Sequence, residues 1–69
     1  MSENIYKKIE LVGTSTVSIE DAVNNALKKA SETVRQIRWF EVEEIRGAVD
    51  ENLQSKWQVV IKLGFNLED

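Results

Sequence analysis

The chain has 69 residues, with nine Lys and Arg against twelve Asp and Glu, a net charge of −3, and neither His nor Cys. Disulfides, thiolate chemistry and imidazole-ligated metals are therefore excluded, and the acidic balance argues against binding a nucleic-acid phosphate backbone. A domain of this size buries only about 60% of its unfolded surface and usually needs a disulfide, a metal or a partner subunit, so self-association is the expected device. No apolar run suits a membrane span and no signal peptide is evident. The expectation is a cytoplasmic chain forming one domain over residues 1–69.

Met1 to Asn4 reads as a short arm. Ile5 to Val12 mixes apolar and polar residues in the manner of a half-buried strand. Gly13 to Val17, rich in Ser and Thr, reads as the turn that follows. From Ser18 to Arg38 the apolar residues fall at Ile19, Ala22, Val23, Ala26, Leu27, Ala30, Val34 and Ile37, one face of a helix. Ser18 is the expected N-cap for the backbone N–H near Asp21, with Glu20 and Asp21 in the first turn. A helix over this whole stretch is about 30 Å long.

Trp39 to Val49 is aromatic and β-branched, with Gly47 marking a bulge or a close approach, and Asp50 to Leu53 is a loop. Ser55 to Leu67 is the clearest strand: Trp57, Val59, Ile61, Leu63, Phe65 and Leu67 alternate with Lys56, Gln58, Val60, Lys62, Gly64 and Asn66. The fold class is α+β. The expected order is β-α-β-β, a three-stranded antiparallel sheet wrapped around one long helix, with the apolar last strand central in the order 1-3-2.

Side-chain parity then locates individual residues. With Trp57, Val59, Ile61, Leu63 and Phe65 toward the helix, Gln58 points away. With Phe40 and Val42 toward the helix, Trp39 and Glu41 point away. The outer face thus holds Trp39 and Gln58 together with Tyr6, Val12 and Val60, and an outer face of this kind reads as a contact surface for a subunit or a ligand.

Catalysis is hard to build without the commonest base and the strongest nucleophile. Glu41, Glu43 and Glu44 form an acidic cluster, read first as a salt-bridged strand with Arg46 and Lys62. A hard-cation site is the other reading, and it needs oxygens from several subunits. Gly13-Thr14-Ser15 lacks the Gly spacing and the Lys of a phosphate loop. Trp39 has two readings: a buried anchor at a subunit contact, or a stacking platform for a planar ring. In the second, Gln58 offers donor and acceptor to a heteroaromatic edge, and Arg46 binds a carboxylate or phosphate; the plain alternative for Arg46 is a surface ion pair with a nearby Glu.

Tyr6-Lys7-Lys8-Ile9-Glu10-Leu11-Val12-Gly13-Thr14-Ser15, Arg38-Trp39-Phe40-Glu41-Val42, Ile45-Arg46-Gly47, Gln58-Val59 and Gly64-Phe65 together resemble the dodecin family over nearly the whole chain. Dodecins are small flavin-binding proteins that assemble as hollow dodecamers of a protomer with one helix and a three-stranded antiparallel sheet. The resemblance implies that Trp39 is the stacking Trp, that Gln58 meets the flavin edge, and that flavins pair between subunits between symmetry-related Trp residues. Arg46 matches an Arg of the bacterial type, which prefers a phosphorylated flavin, so FMN is the implied ligand ahead of riboflavin. Trp57 departs from the family pattern, where many relatives carry Tyr. The expected function is flavin storage or sequestration in a homododecamer without turnover, with Trp39 quenching the photochemistry of the bound ring. The alternative is an oligomeric structural or cation-binding module of the same fold without flavin.

Overall fold

The computed structural model of the chain describes residues 3–67; of the expected N-terminal arm, Met1 and Ser2 lie outside them. The elements are β1 (Tyr6–Ser15), α1 (Ile19–Ala30), β2 (Ile37–Val49) and β3 (Ser55–Asn66). They form one three-stranded sheet in the order β1-β3-β2, with both pairings antiparallel. The expected topology and strand order hold. The most apolar strand takes the centre because it alone is flanked on both sides, which pairs all its backbone groups and buries its side chains. Val59, Ile61 and Leu63 are fully buried, a contribution of about 1.5–3 kcal/mol each.

The helix is shorter than its apolar period suggests. It spans 12 residues, about 18 Å, and ends at Ala30 rather than Arg38. Ser18 caps its start, accepting the Asp21 backbone N–H at 2.9 Å. At the other end Ser31 takes the C-cap, with its Oγ donating to the Lys28 carbonyl at 2.7 Å. The next turns are tight, with the Thr33 and Val34 N–H groups both donating to the Ala30 carbonyl. Serine competes for backbone partners and β-branched residues resist helix, so this sequence stops a helix with neither Gly nor Pro. The last helical turn therefore carries Lys28 and Lys29. Val34 and Ile37 keep the period by coincidence, and Ile37 already belongs to β2. Gln36, at φ 61°, makes the sharp reversal into that strand.

β1 corrects the expectation in the opposite direction, since it continues through Gly13 to Ser15 instead of turning at Gly13. Gly13 is a point of close approach: a Cβ there would collide with the Ala22 carbonyl oxygen and crowd the Ala26 side chain. The turn proper is held by Ser15, which is buried and accepts the N–H groups of Val17 and Ser18 while donating to Asp21 Oδ2 at 2.6 Å.

Small residues on α1 (Ala22, Ala26 and Ala30) let it lie close to the sheet, chiefly over β1 and β3. Phe40 and Val42 do lie on the helix side, opposite Leu63 and Ile61, yet 12 residues of helix do not cover them. They remain 45% and 44% exposed, and Ile45 beside them 48%. The inner face of the sheet is thus left partly open along β2. β2 contains two register shifts, between Ile37 and Trp39 and between Val42 and Glu44, each inserting one extra residue against β3.

Candidate ligand-binding site

The outer face follows from the register. Lys8, Gly64 and Trp39 form one row across the three strands, and Thr14, Gln58 and Arg46 form another. Gly64 has no side chain in the middle of the first row, and the Trp39 indole fills that gap. A Cβ built on Gly64 would collide with the six-membered part of the ring, so the indole lies against the backbone of β3. Its N–H donates to Glu41 Oε2 at 3.0 Å. Glu41 is also held from the far strand, with Lys8 Nζ at 3.2 and 3.0 Å from its two oxygens. Tyr6 meets the indole edge-on, with ring centroids 5.2 Å apart at 66°. The indole is nevertheless 37% exposed. The Trp39 hydrogen bond first, and then that from Lys8, hold the Glu41 carboxyl below its usual value, so it is a carboxylate at neutral pH.

In the second row Arg46 Nε donates to Gln58 Oε1 at 2.7 Å, and its Nη1 pairs with Glu44 Oε1 at 3.1 Å. Arg46 reaches this face through the second register shift. Simple alternation from Trp39 along β2 sends residue 46 inward with Phe40 and Val42. The extra residue at Glu43 reverses the parity, so that Glu44 and Arg46 point outward and Ile45 points inward opposite Val59. The guanidinium sits between a carboxylate and an amide, and its side chain is 47% exposed. The Gln58 amide oxygen is thereby engaged, and its N–H groups are the donors it can offer.

Gln58 and Arg46 are brought together; Trp39 is not brought to them. Two outward positions of β3, Lys62 and Val60, separate Gly64, under Trp39, from Gln58, about 20 Å at strand spacing. One chain therefore carries two separate features on one face, an exposed aromatic ring and an amide–guanidinium pair. Of Glu41, Lys8, Tyr6 and Gly64, side-chain parity placed Glu41 and Tyr6 on the outer face, but none was read as a partner of Trp39. The spacing of Trp39 and Glu41, two apart on one strand, was the available signal for the first of these; the other three needed the strand register. The acidic cluster is also divided: Glu44 pairs with Arg46, Glu41 pairs with Lys8, and among the described residues no three acidic groups converge as metal ligands.

Comparison with known proteins places this geometry. The Dodecin family model matches residues 5–68. The chain belongs to the dodecin family. A curated dodecin from Thermus thermophilus is 49% identical over 65 residues, covering 94% of each chain. A solved structure from the same organism superposes with a TM-score of 0.89 at 48% identity, covering 97% of this chain and 98% of the other. A more distant dodecin, from Mycobacterium tuberculosis, is named calcium dodecin; it is 31% identical over 64 residues, 93% of this chain and 90% of that protein. Its solved structure superposes with a TM-score of 0.85, covering 93% and 91% of the two chains, and is described as containing a novel calcium-binding site. The dodecin protomer and this chain thus share the strand order, the single helix and the long central strand. No helix among the described residues is long and apolar enough to cross a membrane.

Proposed function

We propose that this dodecin binds flavin for storage or sequestration, with Trp39 as the stacking platform, Gln58 at the polar edge of the ring and Arg46 at the phosphate of FMN. The observation that carries the reading is the indole pressed against Gly64, fixed by the bond from its N–H to Glu41 and still 37% exposed. A planar ring system fits such a surface, and stacking of this kind is worth about 1–3 kcal/mol by analogy with bases on aromatic side chains. The Gln58 amide suits a heteroaromatic edge, and the guanidinium of Arg46 suits a phosphate. FMN is accordingly favoured over riboflavin, which lacks the charge.

The two half-sites lie too far apart on one chain to meet a single ring, so the reading includes assembly. Copies related by symmetry bring the Trp39 of one beside the Gln58 and Arg46 of another, and the family resemblance gives twelve as the number. Two features favour association: the open edges of β1 and β2, and the half-exposed Phe40, Val42 and Ile45 on the inner face. A monomer in light scattering at micromolar concentration would exclude this.

Bound flavin supplies light-driven oxidation; an indole in contact is a ready electron donor, so Trp39 would quench it and protect it. No turnover is proposed, because the chain has neither His nor Cys and a ring enclosed between Trp residues leaves no place for a second substrate. The calcium dodecin relative supports a second reading, cation binding by an assembly of the same fold, which calcium calorimetry on the flavin-free protein tests.

The deciding experiment is a fluorescence titration with FMN and riboflavin, run beside size-exclusion chromatography. Trp39→Ala should weaken binding by about 1–3 kcal/mol and restore fluorescence to whatever flavin still binds. Gln58→Leu should weaken binding by a similar amount, about 1–3 kcal/mol, yet leave bound flavin dark. Unchanged affinity and quenching in an intact Trp39→Ala assembly would overturn the site.

A further inference from the structure

We infer that Glu41 and Gly64 are positioning residues that build the Trp39 platform before any ligand arrives. The inference rests on the flavin reading only for what the platform receives; the platform itself is a property of the flavin-free chain.

Every strand of the sheet contributes one restraint on the indole. β3 contributes an absence, since Gly64 offers bare backbone where any other residue would lift the ring off the sheet. β2 contributes the Glu41 carboxylate, which fixes the rotation of the ring by accepting its N–H at 3.0 Å. β1 contributes Lys8, which holds both Glu41 oxygens, and Tyr6, whose ring packs against the indole at a steep angle. Lys8 and Glu41 reach toward each other from strands that are not neighbours, across β3.

Such restraint is out of proportion to what Trp39 does for the fold. The buried cluster is built from Ala22, Val23, Ala26, Ala30, Val59, Ile61 and Leu63, and Trp39 is not in it. An aromatic side chain that stabilises a core has its faces covered. This one is held at its N–H and against β3, yet remains 37% exposed. The arrangement suits recognition, because a side chain already frozen in its bound orientation loses no rotamer freedom when the ligand arrives. That difference is worth roughly three- to tenfold in affinity for each such side chain.

The test uses full-length protein in a Trp57→Phe background, which leaves Trp39 as the one indole. Without ligand, near-UV circular dichroism and time-resolved anisotropy report how firmly the ring is held. Glu41→Leu and Gly64→Ala should lose the near-UV signal and gain fast local motion at unchanged far-UV spectrum and assembly size. Glu41→Gln keeps an acceptor oxygen and should recover most of the rigid signal, which separates hydrogen bonding from charge. With riboflavin as probe, Glu41→Leu should bind roughly three- to tenfold more weakly and Gly64→Ala about tenfold more weakly. An indole equally rigid in Glu41→Leu and Gly64→Ala overturns the inference, as does a loosened indole with riboflavin affinity unchanged. Failure of the parent protein to bind riboflavin or FMN overturns the flavin reading instead, and the ligand-free spectra still decide whether Glu41 and Gly64 hold the ring.

Discussion

Arg46 offers the sharpest quantitative test of ligand choice, because its present partners are known. Its guanidinium pairs with Glu44 at 3.1 Å, with the two side chains 47% and 56% exposed. An ion pair that exposed is worth no more than about 1 kcal/mol, so a phosphate displaces Glu44 at little cost. A charge-assisted hydrogen bond to the phosphate contributes about 1.5–3 kcal/mol, leaving a net gain of about 1–2 kcal/mol. Arg46→Ala should therefore weaken FMN by about five- to thirtyfold. Riboflavin has no phosphate to lose, and its affinity should change by less than about threefold, the residual effect of freeing Gln58 from its 2.7 Å bond to Arg46. Glu44→Gln removes the competing anion and should tighten FMN by up to about fivefold. Paired quenching titrations with both flavins at low and high salt measure all of this, and the preference for FMN should shrink as salt screens the charge. Equal weakening of FMN and riboflavin by Arg46→Ala would refute the reasoning, and so would FMN binding indifferent to both Arg46→Ala and Glu44→Gln.

Three further outcomes are expected. Gly13→Ala should destabilise the chain by about 1–3 kcal/mol, because its methyl group meets the Ala22 carbonyl, whereas Gly47→Ala, with only the Lys56 carbonyl at 4.0 Å, should be near neutral; denaturant unfolding of both would expose an error if they behaved alike. Glu41 has a lowered folded-state pKa, so its contribution is complete above the ordinary carboxylate range and is lost as pH falls through the lowered folded value; Glu41 faces the Trp39 N–H, Lys8 and Lys62, and a carboxyl resonance titrating at or above the free-Glu value would contradict this. Leu53 is 82% exposed with φ 61°, a conformation Asn adopts more readily, so Leu53→Asn should raise stability by about 0.5–1 kcal/mol in thermal unfolding; a loss would mean that the side chain is covered in the assembly.

Topology and the composition of the outer face were legible because they depend on period-two alternation, which is unbroken in β3 from Trp57 to Phe65. Strand limits were less so. Gly13 reads as a turn residue, yet its lack of a side chain serves the approach of α1 within a continuing strand. The helix end was hidden for a related reason: Val34 and Ile37 stay in phase with a helix that has already been stopped by Ser31 and the β-branched residues after it. For the site, Trp39 and Gln58 could be assigned to one face from parity, but Gly64 and Lys8 could not be placed beside Trp39. Residues 56 and 25 positions apart in sequence become neighbours only once the register of both flanking strands against β3 is fixed; that register depends on two inserted residues that no local pattern marks.

The inserted residue at Glu43 works like a frameshift written in side chains. Upstream of it the outward residues of β2 are odd-numbered, and downstream they are even-numbered. Keeping that residue but pairing it into a regular ladder would leave every amino acid in its order. It would turn Arg46 from the outer face to the inner face and carry Ile45 out to replace it. Two dodecins can thus agree residue for residue around the Arg and differ in which face it takes, decided by whether the strand bulges a few residues upstream. Trp39 and Arg46 are seven positions apart, an odd spacing that puts both on one face only with such a bulge, whereas an even spacing needs none.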